Sequence, residues 1–153
     1  MTDAPAEGPP FPVLLARGVA RALAQRGYAT LTEVSLANGR RADVMGLGRG
    51  GELVIVEVKS SLQDFRSDAK WREYREFCDR FYFAVAEDFP RSAIPEECGL
   101  IVADGFGAAM VRESPAAPMA AARRKAVTLR FALLGSERLR RLLDPASSGG
   151  TLL

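Results

Sequence analysis

Residues 52–60, ELVIVEVKS, constrain the fold more than any other stretch of the chain. Leu53, Val54, Ile55 and Val56 are consecutive aliphatic residues, so an extended strand here is apolar on both faces. A strand of that kind has to be covered on each side, which places it centrally in a layered sheet. The run then ends in Glu57-Val58-Lys59. Alternation puts Leu53, Ile55, Glu57 and Lys59 on one face and Val54, Val56, Val58 and Ser60 on the other. Two charged side chains thus sit side by side on an otherwise apolar face, where charge is costly unless paired or used.

The flanking sequence supplies the rest of an α/β layout with a mixed sheet. Residues 12–26 carry Val13, Leu14, Val19 and Leu23 at helical spacing, and Gly27 offers a C-terminal stop. Residues 28–37 alternate like a strand, and Asn38-Gly39 is a strong hairpin signal. A second strand is expected over 41–47 and a turn over 48–51. After a loop at 61–66, residues 67–80 predict a helix capped by Ser67, with Trp71, Tyr74, Phe77 and Cys78 in one apolar stripe. A buried strand follows at 81–86 and a hairpin over 99–113, turning near Asp104-Gly105. Residues 117–144 read as helical, broken at Gly135-Ser136. The 153 residues fit one domain over 11–146, between a disordered tail at 1–10 and a flexible tail at 147–153.

Composition narrows the chemistry. The chain has no histidine, which removes His-based acid–base catalysis, Ser-His-Asp triads and His-ligated metals. Cys78 and Cys98 form no metal-binding or redox motif and read as packed thiols. No apolar run approaches membrane-spanning length and no signal peptide is visible, so a cytoplasmic protein without a membrane partner is expected. The formal net charge is +2. Gly46-Leu47-Gly48-Arg49-Gly50-Gly51 matches a dinucleotide fingerprint but opens into a strand, so it reads as a hairpin turn.

Asp43 lies in the second strand, across the hairpin from Glu57. The alternation puts Asp43 and Met45 on one face, Ala42 and Val44 on the other. Two carboxylates and a lysine converging at one point suit phosphodiester hydrolysis. Hard oxygens hold Mg²⁺ or Mn²⁺, and Lys59 orients water or offsets developing negative charge.

Ala42-Asp43 followed by Glu57-Val58-Lys59 resembles the PD-(D/E)XK nucleases, with Ala42 where the motif has proline. The runs LANGRRADV, VEVKSSLQDFRSDAKW, YREFCDRFYFAVAEDFP and GLIVADGFGA resemble the MmcB family of bacterial DNA-repair proteins. The resemblance implies a restriction-endonuclease-like core, α-β-β-β-α-β with a mixed sheet flanked by helices, here followed by a C-terminal hairpin and helices. It also implies a DNA-damage role and endonuclease chemistry. Helix one lacks the acidic residue that some branches of the superfamily carry, and Glu33 in the first strand is the expected substitute ligand. Ser60, Ser61, Arg40 and Arg41 are candidate substrate contacts. Lys70 and Tyr74, one helical turn apart, complete that set. The run Arg123, Arg124, Lys125, with Arg130, Arg138, Arg140 and Arg141, reads as a solvated basic face or a DNA-backbone contact. The partners expected are DNA and either a second copy or another repair protein. The alternative to a nuclease is a catalytically silent DNA-binding or partner-docking module on the same fold.

Overall fold

The computed structural model describes residues 8–146; most of the two expected tails, 1–7 and 147–153, lies outside the described residues. Helix α1 (Phe11–Gln25) opens with Pro12 in its first turn and stops where Gly27 takes φ 92°, a conformation open to glycine without strain. Its buried stripe is Leu15, Gly18, Val19 and Leu23, so it begins at Leu15 rather than Val13.

Strands β1 (Ala29–Ser35), β2 (Arg41–Leu47) and β3 (Leu53–Lys59) form an antiparallel meander. Gly39 and Gly51 take positive φ in its two turns; of the glycine-rich run at 46–51, Gly46 and Leu47 end β2 and 48–51 make the hairpin turn. Strands β4 (Arg80–Val85) and β5 (Gly99–Ala103) add in parallel, and β6 (Ala108–Arg112) closes the edge antiparallel. The result is one six-stranded mixed sheet in the order β1-β2-β3-β4-β5-β6.

All seven residues of β3 are buried. On one face α1 covers Val44, Val54, Val56, Val58, Tyr82 and Ala84. On the other, Trp71, Tyr74, Phe77, Val127 and Phe131 pack on Leu53, Ile55, Phe81 and Phe83. The indole of Trp71 and the ring of Tyr74 both stack on Phe81.

The crossover from β3 to β4 differs from the expected helix at 67–80. Helix α2 spans Leu62–Ser67, in the stretch read as a loop, and Ser61 caps it; a separate 3-10 helix spans Trp71–Phe77. The aromatic spacing explains this. Trp71, Tyr74 and Phe77 recur every third residue, and three residues per turn lines them up on the core. Helix α3 (Ala121–Leu143) is also continuous, with no break at Gly135-Ser136. No helix among the described residues is long and apolar enough to cross a membrane. Cys78 and Cys98 are buried and free, as their spacing suggests.

Asp79 ties three elements together. Its carboxylate accepts from the N–H of Leu53 (2.8 Å) and of Met119 (3.2 Å), and from both terminal nitrogens of Arg124. Arg124 also donates to Gly51 O. The Arg124 guanidinium holds the Asp79 carboxyl below its usual range. Removing the charge strands Arg124 and weakens two backbone bonds. Asp79→Asn is expected to lower stability by about 2–3 kcal/mol in urea unfolding; a change under about 0.5 kcal/mol, as at an ordinary surface position, would contradict this role.

Candidate metal centre and cleft

The β2–β3 ladder runs from Leu47↔Leu53 to Val44↔Val56 and stops one step short of Asp43 and Glu57. Side chains take over there. The Asp43 N–H donates to Glu57 Oε1 (3.0 Å), and the Val58 N–H donates to Asp43 Oδ2 (2.8 Å). Each carboxylate thus spends one oxygen in place of a ladder carbonyl, and the two groups lie within hydrogen-bonding reach of each other.

On the other side, β1 is kinked. Its ladder to β2 pairs Thr32↔Val44 and Val34↔Ala42 but skips Glu33 and Asp43, and Glu33 takes φ 51°. A left-handed non-glycine residue costs about 1–2 kcal/mol. Arg138 on α3 holds the kink by donating to the carbonyls of Thr32 and Glu33. The kink corrects the expected alternation: Ala42 joins Met45 in one core cluster while Val44 lies in the other. Asp43 sits at the switch and opens on a cleft of about 440 Å³. Pro12, Val13 and Arg17 of α1 form one wall, and Glu33, Arg41 and Asp43 part of the other. Glu57 is buried and does not line the cleft.

Burial pushes the Glu57 carboxyl up to about 9, with the neighbouring Asp43 charge adding to the effect. Burial raises the Asp43 carboxyl as well. The pair therefore holds a proton where free carboxylates would hold none, and a divalent cation can take that proton's place. The donor set fits Mg²⁺ or Mn²⁺, which accept one or two carboxylates and leave further positions for water and phosphate. No third carboxylate converges: among the described residues no group of three potential ligands forms. Glu33 lines the same cleft, but its side chain is exposed and 4.0 Å from Arg41.

Lys59 is buried at the end of β3, and its Nζ lies 2.7 Å from Asp68 Oδ2 and 4.0 Å from Asp64 Oδ1. Burial alone would raise the Asp68 carboxyl, yet the Lys59 ammonium and the Lys70 N–H hold it below its usual range. Asp64 and Asp68 were absent from the sequence-based set. Ser61-Leu62-Gln63-Asp64 is a capping-box pattern, and it marks the helix that carries Asp64 beside Lys59.

The remaining candidates divide. Arg41 reaches the cleft. Arg40 is held by Glu73, with Nε 2.6 Å from the carboxylate. Ser60 follows Lys59 and donates its N–H to Asp64, whereas the Ser61 hydroxyl caps α2 by accepting from the Asp64 N–H. Lys70 and Tyr74 do not share a helical face. Lys70 is exposed ahead of the 3-10 helix; Tyr74 is buried and donates its hydroxyl to Arg41 O. Several arginines of α3 are spent on structure. Arg124 clamps Asp79, Arg138 holds the β1 kink, and Arg123 lies 4.5 Å over the Phe77 ring.

Fold and site together define a mixed α/β protein whose central strands part around a buried carboxylate pair with a lysine beside it. The chain belongs to the MmcB-like DNA repair protein family, whose model matches residues 9–146. No curated protein matches the chain. Among solved structures, a protein of unknown function from Silicibacter pomeroyi is similar at 47% identity and TM-score 0.86, over 88% of this chain and 92% of that one. A repair endonuclease from Pyrococcus abyssi matches at 16% identity and TM-score 0.33, over 46% of this chain and 34% of that one. A likeness that slight bears on neither fold nor function.

The raised Glu57 group has a stability consequence. Folded Glu57 keeps its proton up to about 9, whereas an ordinary glutamate loses it near 4.5. The folded state binds the extra proton in that window, so stability falls as pH rises through it. Glu57→Gln abolishes this loss. In chelator at pH 8 the variant is expected to be more stable than wild type by roughly 1–3 kcal/mol, the advantage vanishing near pH 4.5. A variant no more stable at pH 8 would mean that folded Glu57 does not hold the extra proton.

Proposed function

We propose that the protein is a metal-dependent DNA endonuclease of DNA repair, built on a restriction-endonuclease-like core. The observation that carries this reading is the buried Asp43–Glu57 pair in the gap between β2 and β3, whose Asp43 opens on a cleft that Arg17 and Arg41 also line. Asp43 and Glu57 hold Mg²⁺ or Mn²⁺. A cation so bound supplies a Lewis acid that activates water and offsets charge on the scissile phosphate. The N–H groups of Asp43 and Val58 each fix one carboxylate oxygen, which orients both groups before a ligand arrives. Asp68 holds the Lys59 ammonium by an ion pair of 2.7 Å at the end of β3, two residues from Glu57, where it would face developing negative charge. Arg41 binds a backbone phosphate from the cleft wall, and Ser60 stands next to Lys59 for a second phosphate contact. Glu33, exposed in the same cleft beside Arg41, would add negative charge near a bound cation.

A second reading has an observation of its own. Lys59 is engaged by Asp68, and among the described residues only two carboxylates converge. Both features suit a catalytically silent DNA-binding or partner-docking module on this fold.

The two readings part in a cleavage assay on labelled duplex, single-stranded and flapped DNA, with Mg²⁺, Mn²⁺ or chelator. The nuclease reading expects metal-dependent cutting that falls at least ~100-fold in Glu57→Ala and in Lys59→Ala. Cutting that survives Glu57→Ala would overturn it, and binding without cutting under every condition would favour the silent module.

A further inference from the structure

The Asp43 cleft has a neighbour across α1. The β5–β6 turn, residues 104–107, is pressed against that helix at Gly18. A Cβ there would lie 2.0 Å from Asp104 O and 2.7 Å from Gly107 O, so only glycine permits the approach. Arg21 Nη1 donates to the carbonyls of Gly105 (3.2 Å) and Phe106 (3.4 Å). Asp104 Oδ1 accepts from the N–H groups of Phe106 and Gly107. The turn is fixed, yet its one large side chain, Phe106, is 84% exposed. Neither the turn nor the core uses that ring.

Phe11, in the first turn of α1, is 49% exposed and lines with Phe106 a groove of about 530 Å³. The next two residues, Pro12 and Val13, line the Asp43 cleft. The two grooves therefore meet over the first turn of α1. Helical spacing sets Val13, Arg17 and Arg21 along the ridge between them. Arg17 is exposed and makes no hydrogen bond or ion pair among the described residues.

We infer that the DNA taken by this site is unpaired, with bases stacking on Phe106 and Phe11 while the backbone crosses Arg17 on its way to the Asp43 cleft. Exposed rings beside a cationic track are the means by which proteins hold single strands: stacking takes any base, and arginines follow the phosphates. A duplex gains less from such rings, because its internal base faces are already stacked on one another and a ring enters only at the cost of unstacking a step. Glu87 and Asp104, the two carboxylates that line the Phe106 groove, repel phosphate, which keeps the backbone on the Arg17 side and leaves bases for the rings. The inference rests on the proposed function for the path through the Asp43 cleft.

Fluorescence anisotropy in chelator tests it without any cleavage step. Wild type is expected to bind a labelled single-stranded oligonucleotide more tightly than the blunt duplex of the same sequence. Phe106→Ala should weaken single-strand binding about ten-fold with duplex binding unchanged, and Phe106→Trp should restore it. Arg17→Ala should weaken binding and flatten its salt dependence. The exposed positions allow these variants to fold, which circular dichroism checks. Equal affinity for both DNAs, or a Phe106→Ala variant that binds single strands as wild type does, would overturn the inference. Phe106-dependent binding in a protein that never cuts would leave the stacking surface standing and remove the nuclease reading. Metal-dependent cutting with Phe106 irrelevant would do the reverse.

Discussion

Complete burial of β3 is the constraint on which the rest of this structure depends. Its seven residues have no face to give to solvent, so helices must lie on both sides of the sheet. Helix α1 takes one side, and the 3-10 helix with α3 takes the other. Asp79 fixes the register between β3, β4 and α3 from the far end of the strand. With that end clamped, the strands are free to part at the opposite end, around Asp43 and Glu57.

The parting creates a site in the sheet where the fold works against itself. A ladder normally consumes N–H groups with carbonyls. Here two carboxylates do so, and burial leaves them sharing charge they cannot hold comfortably. The β1 kink at Glu33 adds backbone strain opposite the same position. Strain and frustrated charge concentrate where a protein prepares a site for something it does not itself contain. The neighbouring Lys59–Asp68 pair is more settled, since the Asp68 carboxylate satisfies an otherwise buried ammonium.

Much of this was legible in the sequence, for physical reasons that also mark where legibility ends. The apolar run of β3, the Asn38-Gly39 turn and the hairpin at Asp104 are local signals, and each appears where expected. The juxtaposition of Asp43 and Glu57 followed from a short hairpin between neighbouring strands. The 3-10 helix did not, because the i, i+3 spacing of Trp71, Tyr74 and Phe77 also fits one face of an α-helix. Only the packing against Phe81 and Phe83 distinguishes them. The facing of Ala42 was missed because the kink depends on Arg138, which is remote in sequence and holds the β1 carbonyls from α3. Likewise, Arg124 looked like part of a solvated basic run until Asp79 came within its reach. Charged side chains choose partners through tertiary contacts that periodicity does not encode.

The proposed function requires the Asp43–Glu57 pair to bind a divalent cation that displaces its proton. Calorimetric titration of Mn²⁺ into the metal-free protein at neutral pH, repeated in buffers of different ionisation enthalpy, measures binding and proton release together. Saturable binding with release of about one proton per ion is expected, both lost in Asp43→Asn and Glu57→Gln. No binding by the wild type, or binding and proton release that persist unchanged in Glu57→Gln, would contradict it.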